Sequence, residues 1–311
     1  MNGAAAALAA KRAGLELRSA TLAAVRGFFH ARGFLEVETP VRLPAPALEL
    51  HIDAEPSGSW HLRTSPELHM KRLLAAGYDR IFQLGPCFRR GEYGARHHPE
   101  YTLLEWYRAG ADYRDLLRDT QDLLVEVARA VLGRAGFSHG GVEIALDQPW
   151  EVMTVSEAFC RHAGWDPAER WDADRFDLDL VDKVEPALPR TRPVVLTDYP
   201  APAAALARLK PGDPRVAERW ELYLDGIEIA NAYSELTDAA AQRARFEECA
   251  RDRRARGKTA YPLDEEFLSA LEAGLPDTGG IALGLDRLVM LLAGADYLDD
   301  VIAFREAERG R

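Results

Sequence analysis

A chain of 311 residues with 47% hydrophobic and 29% charged side chains can bury a sizeable core without metal or disulfide staples. A formal net charge of -11 leaves no general basic footprint for a polyanion. No apolar run approaches the roughly 18 residues that span a bilayer. Cys87, Cys160 and Cys249 are scattered without a C-x-x-C pair, which argues against a zinc site and fits a reducing, cytoplasmic setting.

In chain order, MNGAAAALAAKRAG puts small apolar residues ahead of its basic pair, the reverse of a secretory signal, and reads as a flexible leader over 1–14. Residues 15–32 predict an amphipathic helix stopped at Gly33, then a strand in FLEVETP that Pro40 ends. In SPELHMKRLLAAG (65–77), Ser65 reads as N-cap, Pro66 as the first helical position and Glu67 as a first-turn acid. Strands in RIFQLG and YTLLEWYR precede a long helix at about 112–132. Residues 165–214 are rich in Pro and Asp and read as an insertion lying on the surface. A hairpin over 219–236, helices over 238–257 and 264–273, and a glycine-bearing strand running into a last helix (279–293) complete the chain. RDRRARGK (251–258) reads as a solvated helix end. Strands cluster as hairpins and do not alternate with helices. The expected fold is therefore α+β, an antiparallel sheet flanked by helices, forming one catalytic domain over 15–311.

Three constellations concentrate chemistry. In CFRRGEYGARHHPEYTLLEWYR (87–108), period 2 puts Tyr101, Leu103, Glu105 and Tyr107 on one strand face and Thr102, Leu104 and Trp106 on the other. A carboxylate between two tyrosines is costly to bury unless a cation meets it. The wall reads either as a pocket, with Arg89 for a phosphate and Glu105 for an ammonium, or as a surface hairpin with ordinary ion pairs. In RWELYLDGIEIANAYSEL (219–236), Asp225-Gly226 predicts a two-residue turn that sets Tyr223 opposite Glu228. Glu221 and Glu228 then share a face, where Mg²⁺ and nucleotide phosphates would suit them; the other reading is an exposed polar face. Ala230 and Ala232 are expected beside them. Strict alternation sends Glu235 to the opposite face unless a bulge or strand end falls near Ser234. In TGGIALGLDRLVMLLAG (278–294), Asp286 suits a positive helix end, whereas Arg287 beside it does not and reads as aimed at an anion or stacked on a ring. Neither a Rossmann nor a P-loop pattern occurs.

Taken in order, these segments resemble the motifs of class II aminoacyl-tRNA synthetases: GFLEVETP motif 1, FRRGE motif 2 and GLDR the end of motif 3. SPELHMKRLL, HHPEYTLLEWY and EIANAYSEL resemble the lysyl branch. The early motif 1, LEWYR, ALGLDRLVML and Ala282 in place of a glycine resemble the elongation factor P lysine-ligase family, a truncated relative without the anticodon-binding barrel. The resemblance spans about residues 15–305 and implies adenylate chemistry with ATP and Mg²⁺, and lysine or (R)-β-lysine as substrate. It further implies elongation factor P as acceptor and a homodimer through the Pro40 segment, with no membrane and with tRNA disfavoured.

Residue by residue, the resemblance implies that Ser65, Pro66 and Glu67 border the amino acid, with Glu105, Tyr107 and Glu235 on its side-chain ammonium. Arg89 would meet the α-phosphate, with Arg90, Gly91, Glu92 and His98 along ATP. Tyr101 and Arg287 would enclose adenine, and Gly284 would let it approach. Glu221 and Glu228 would take Mg²⁺, with Ile229 and Asn231 adjacent. Arg89, Glu228 and Arg287 are the expected catalytic set. The sequence departs from the family where Gly91 stands in the place of motif 2's glutamate and Glu92 follows it, where His98 replaces an asparagine, and where Tyr101 replaces a phenylalanine. Two other readings stay open: a lysyl-adenylate enzyme with a tRNA, lipid or small-amine acceptor, and a non-catalytic synthetase-like subunit.

Overall fold

A computed structural model describes residues 3–305. The chain divides into two compact units: one holds the residues up to Ala109, Thr237–Pro276 and the chain from Gly284, and the other holds Gly110–Leu236 with Asp277–Leu283.

The first unit begins with helices α1 (Gly3–Ala10) and α2 (Arg12–Ala31). The segment expected to be a leader is therefore helical from Gly3, as its alanine run favours; Met1 and Asn2 lie outside the described residues. The motif 1 strand shrinks to β1 (Leu35–Glu36). Strands β2 (Arg42–Leu43), β3 (Pro56–Ser57) and β4 (Trp60–Leu62) form a small antiparallel sheet. Helix α3 (Glu67–Ala75) follows with Pro66, not the expected Ser65, at its N-cap position, and the Ser65 hydroxyl just before it accepts the Glu67 N–H at 2.9 Å. Strand β5 (Arg80–Phe88) pairs antiparallel with β6 (Glu100–Ala109) and parallel with β1.

The second unit opens with α4 (Tyr113–Leu132). Asp112 and Asp115 form its capping box, and Gly133 closes it at φ 71°. A hairpin of β7 (Gly136–His139) and β8 (Val142–Ala145) precedes β9 (Glu151–Thr154), α5 (Val155–His162) and α6 (Ala173–Asp179). Then come β10 (Val194–Pro200), β11 (Leu209–Lys210), β12 (Asp213–Leu224), β13 (Ile227–Ser234) and β14 (Thr278–Gly284). This unit's sheet runs β14-β13-β12-β10-β9, with β11 on β12; only β9 and β10 pair in parallel. Helix α4 covers one face, with Trp220 Nε1 donating to the Tyr113 carbonyl at 2.6 Å and the Tyr113 N–H donating to Ser234 Oγ at 3.0 Å. Gly279 allows the approach, since a Cβ there would lie 2.9 Å from the Leu116 side chain.

The surface reading of 165–214 is corrected here. Strand β10 is interior to the sheet, Val194, Val195 and Leu196 are fully buried, and Phe176, Val184 and Leu188 join the core of Val194 and Leu196. A strand buried on both faces has no alternation to show in sequence.

The chain returns to the first unit with α7 (Ala239–Ala255), α8 (Glu265–Gly274) and α9 (Leu285–Leu292). The solvated-end reading of RDRRARGK fails at Arg253, which is fully buried. Its guanidinium donates to the carbonyls of Thr259, Glu49 and Ile52 and to Asp53, and lies 4.8 Å from the Tyr261 ring. Lys258 reaches Asp53 as well, at 3.2 Å. Four bonds repay desolvating one guanidinium, which a charge count along the sequence cannot foresee. Among the described residues, no helix is long and apolar enough to cross a membrane.

Candidate functional site

In the first unit, β5 and β6 keep unbroken register, so Ile81, Gln83, Gly85 and Cys87 share a face with Tyr107, Glu105, Leu103 and Tyr101, as period 2 required. Glu105 is 1% exposed. It accepts from Ser65 Oγ at 2.7 Å through Oε1 and from Tyr107 Oη at 2.9 Å through Oε2. Burial, with the like charge of Glu67 behind it, pushes its carboxyl up to about 8 despite those two donors. Glu67 accepts from Lys71 Nζ at 2.5 Å, one helical turn on, and Lys71 is itself buried. The Ser65 hydroxyl therefore accepts the Glu67 N–H at the start of α3 and holds Glu105 at the same time.

The motif 2 turn lies beyond. Gly91 takes φ 79°, a left-handed position that a glutamate would adopt only at a cost, so the glycine makes the turn and Glu92 brings the carboxylate back to 3.9 Å from Arg89. The Arg89 guanidinium lies 5.2 Å from the Tyr101 ring centre, and Tyr101 Oη donates to the Thr64 carbonyl at 2.7 Å. Burial raises the Tyr101 hydroxyl, keeping it a neutral donor. The Arg90 N–H is held by the Asp53 carbonyl at 2.7 Å, the loop that Arg253 clamps. His98 is buried, with Nδ1 2.6 Å from the Glu100 carbonyl.

Gly284 stands at the N-cap of α9. Asp286 accepts from the Thr102 N–H at 2.7 Å and pairs with Arg18 at 2.5 Å, tying α9 to β6 and α2. Arg287 donates to the Arg96 carbonyl at 3.2 Å and meets His97 Nε2 at 2.7 Å. Burial and the Arg287 charge lower His97, so its ring accepts from the guanidinium as neutral imidazole.

In the second unit, the Asp225-Gly226 turn sets Leu224 opposite Ile227 and Tyr223 opposite Glu228, as expected. The register then slips: Leu222 pairs with Ala230, and Ile229 is the extra residue of a bulge. This relocates half the strand. Ala230 and Ala232 face away with Leu222 and Trp220, correcting their expected place. Asn231 comes opposite Glu221 and Tyr233 opposite Arg219, in phase with Glu228. The phase change brings Glu235 onto the same parity, so the bulge that the residue needed lies at Ile229, upstream of Ser234. Ala282 pairs with Asn231 across β14 and joins this face. Glu221 is engaged at both oxygens: Arg219 Nη2 at 2.5 Å on Oε1, and the Tyr199 and Tyr223 hydroxyls at 2.6 and 2.8 Å on Oε2. Burial first, then the Glu221 charge, keeps both phenols protonated.

The family model of class II tRNA synthetases (D, K and N) matches residues 8–308. Over 319 aligned residues the chain is 42% identical to the "Elongation factor P--(R)-beta-lysine ligase" of Klebsiella pneumoniae (strain 342), with 92% of this chain and 93% of the relative covered. The proteins of the same name from Salmonella typhi and Salmonella dublin are also 42% identical, over 320 residues and the same shares. The chain belongs to the elongation factor P–(R)-β-lysine ligase family of class II synthetases.

For a ligase of this family, the first unit gathers Ser65, Glu67, Glu105 and Tyr107 around one buried carboxylate. It also carries Arg89, Arg90, Gly91, Glu92, His98 and Tyr101 on β6 and its preceding turn, and Gly284 and Arg287 at one helix end. Pro66 stands at the N-cap position of α3. The second unit gathers Glu221, Glu228, Asn231 and Ala282 on one face, with Glu235 just beyond β13 and Ile229 in the bulge. Sequence reasoning missed Lys71 and Arg219. The spacing Glu67 to Lys71 (i, i+4 on a helix) and Arg219 to Glu221 (i, i+2 on a strand) signals both. Among the described residues, no group of three or more His, Cys, Asp or Glu could hold a metal by itself. Half-buried Glu228 on this face fits the one-carboxylate share that Mg²⁺ takes beside nucleotide phosphates. Glu221 does not fit as it stands, because ligation through Oε1 would require it to release Arg219.

Proposed function

We propose that this chain uses ATP to activate (R)-β-lysine, or a similar lysine-like amino acid, as its adenylate, and transfers the acyl group to the ε-amine of one lysine on elongation factor P. The observation that carries the chemistry is Glu105. It is a buried carboxyl near 8, cradled by Ser65 and Tyr107, that a substrate ammonium would ionise and pair with. The 42% identity to named ligases carries the acceptor.

In the first step a carboxylate oxygen of the amino acid bonds to the α-phosphorus, and the bond to pyrophosphate breaks. In the second, the deprotonated ε-amine bonds to the carbonyl carbon, AMP leaves, and the amine's proton passes to solvent. No covalent enzyme intermediate is needed; positioning and charge stabilisation by Arg89 serve both steps. Tyr101 and Arg287 hold the adenine. When bound, Mg²⁺ supplies positive charge to the phosphate oxygens, and Glu228 would hold it. Exposed apolar Leu35 and Val41 beside Pro40 suit a homodimer through that segment.

The test is intact-mass spectrometry of elongation factor P after incubation with this chain, ATP, Mg²⁺ and either (R)-β-lysine or L-lysine. A gain of one lysyl residue on a single lysine is the expected result, faster with (R)-β-lysine. Pyrophosphate release without a gain would keep the adenylate step and remove elongation factor P as acceptor. Glu228→Gln should abolish Mg²⁺-dependent exchange with the fold intact, and unchanged turnover would take Glu228 out of the metal site.

A further inference from the structure

We infer that Arg219 is a positioning residue for the nucleotide: its guanidinium fixes the side chains of Asn231 and Glu221 on the β12–β13 face. The inference rests on the reading of that face as nucleotide-binding. Arg219 is enclosed, its side chain 15% exposed, and every nitrogen is committed. Nη2 donates to Glu221 Oε1 at 2.5 Å, Nη1 to the Ala203 carbonyl at 2.5 Å and Nε to Asn231 Oδ1 at 3.2 Å. The Tyr199 and Tyr233 rings lie 4.4 and 5.8 Å from the guanidinium carbon.

A guanidinium only donates. It therefore forces Asn231 to turn its oxygen inward, and the amide nitrogen outward, where it donates to Tyr233 Oη at 2.8 Å. One rigid fork thus sets which end of the Asn231 amide is a donor and which direction the Glu221 carboxylate faces. A glutamine at 219 can donate or accept, so it would let the Asn231 amide turn over. A lysine keeps the charge and loses the three-way geometry. With every nitrogen taken up by protein acceptors, Arg219 acts through the two residues it orients. The bulge at Ile229 makes this possible, since without it Asn231 would lie on the opposite face from Arg219.

The experiment measures ATP–pyrophosphate exchange by the whole chain carrying Arg219→Gln, Arg219→Lys or Tyr233→Phe, together with calorimetric binding of a non-hydrolysable ATP analogue. Arg219→Gln should raise the KM for ATP and the analogue Kd by about tenfold to a hundredfold, the range of a charged hydrogen bond. The KM for the amino acid should stay within about twofold. Arg219→Lys should fall between it and the wild type, and Tyr233→Phe should shift the same constants a few-fold, by releasing the other end of the Asn231 amide. A loss of folded protein with both constants unchanged in what remains would make Arg219 structural only, and so would equal changes in both KM values. If the wild type binds the analogue but exchanges with no lysine-like amino acid, the proposed function fails; weaker analogue binding by Arg219→Gln would then still support the inference.

Discussion

Glu105 of the first unit and Glu221 of the second are both buried strand carboxylates with a tyrosine two residues on, yet the two units compensate them in opposite ways. Glu105 meets two neutral hydroxyls and the like charge of Glu67, and its carboxyl rises to about 8. Glu221 meets two hydroxyls and a guanidinium that the chain itself supplies. The difference lies in where the cation comes from. A buried carboxylate with its own arginine is a fixed part of the framework, whereas one held only by neutral donors is poised for a cation brought from solution.

The largest expected effect is on selectivity. Exchange with a lysine-like amino acid should exceed exchange with leucine by about 10⁴ in the wild type, and Glu105→Gln should remove most of that margin, because only an ionised carboxylate penalises an uncharged side chain. Equal exchange with leucine in the wild type would end the assignment. The same variant carries a pH signature. Glu105 is raised above its unfolded value, so folding takes up a proton, and its contribution is fully present below about 4.5 and lost as pH rises through about 8. Urea titrations at pH 5 and 9 should show wild-type stability falling by several kcal/mol more than that of Glu105→Gln.

Next in size is Glu221→Gln, which strands the Arg219 charge and should cost about 3–5 kcal/mol by denaturant titration at pH 9. Glu105→Gln should stabilise at that pH, so the two variants should move in opposite directions, and a common sign would break the contrast. Tyr107→Phe removes one donor to the ionised form of Glu105, and should raise the amino-acid KM by about three- to tenfold with the ATP KM unchanged. The smallest effect is expected at Ala282→Gly. Removing one methyl from the Asn231 face should change the ratio of (R)-β-lysine to L-lysine turnover by no more than about tenfold, read by the same mass assay.

Local signals carried much of the site. The faces of β6, the Asp225-Gly226 turn and the long helix at about 112–132 follow from periodicity and turn chemistry, which act over a few residues. The failures share a different origin. The bulge at Ile229 sits among Ile and Ala residues that are buried on either face, so nothing local marks the lost register. Arg253 looks like one more charge in a basic run, and the four acceptors that bury it lie up to 204 residues away. The interior strand Val194–Pro200 hides between prolines in a segment otherwise rich in Asp.

By itself, then, the sequence determined the family motifs, the α+β class and the type of side chain available at each candidate position, since caps, turns and strand faces are short-range properties. Only the tertiary structure decided which buried charges were already paired. The cost of burying a charge depends on partners brought together by the fold, so Glu105 and Glu221 look alike in sequence and differ in chemistry.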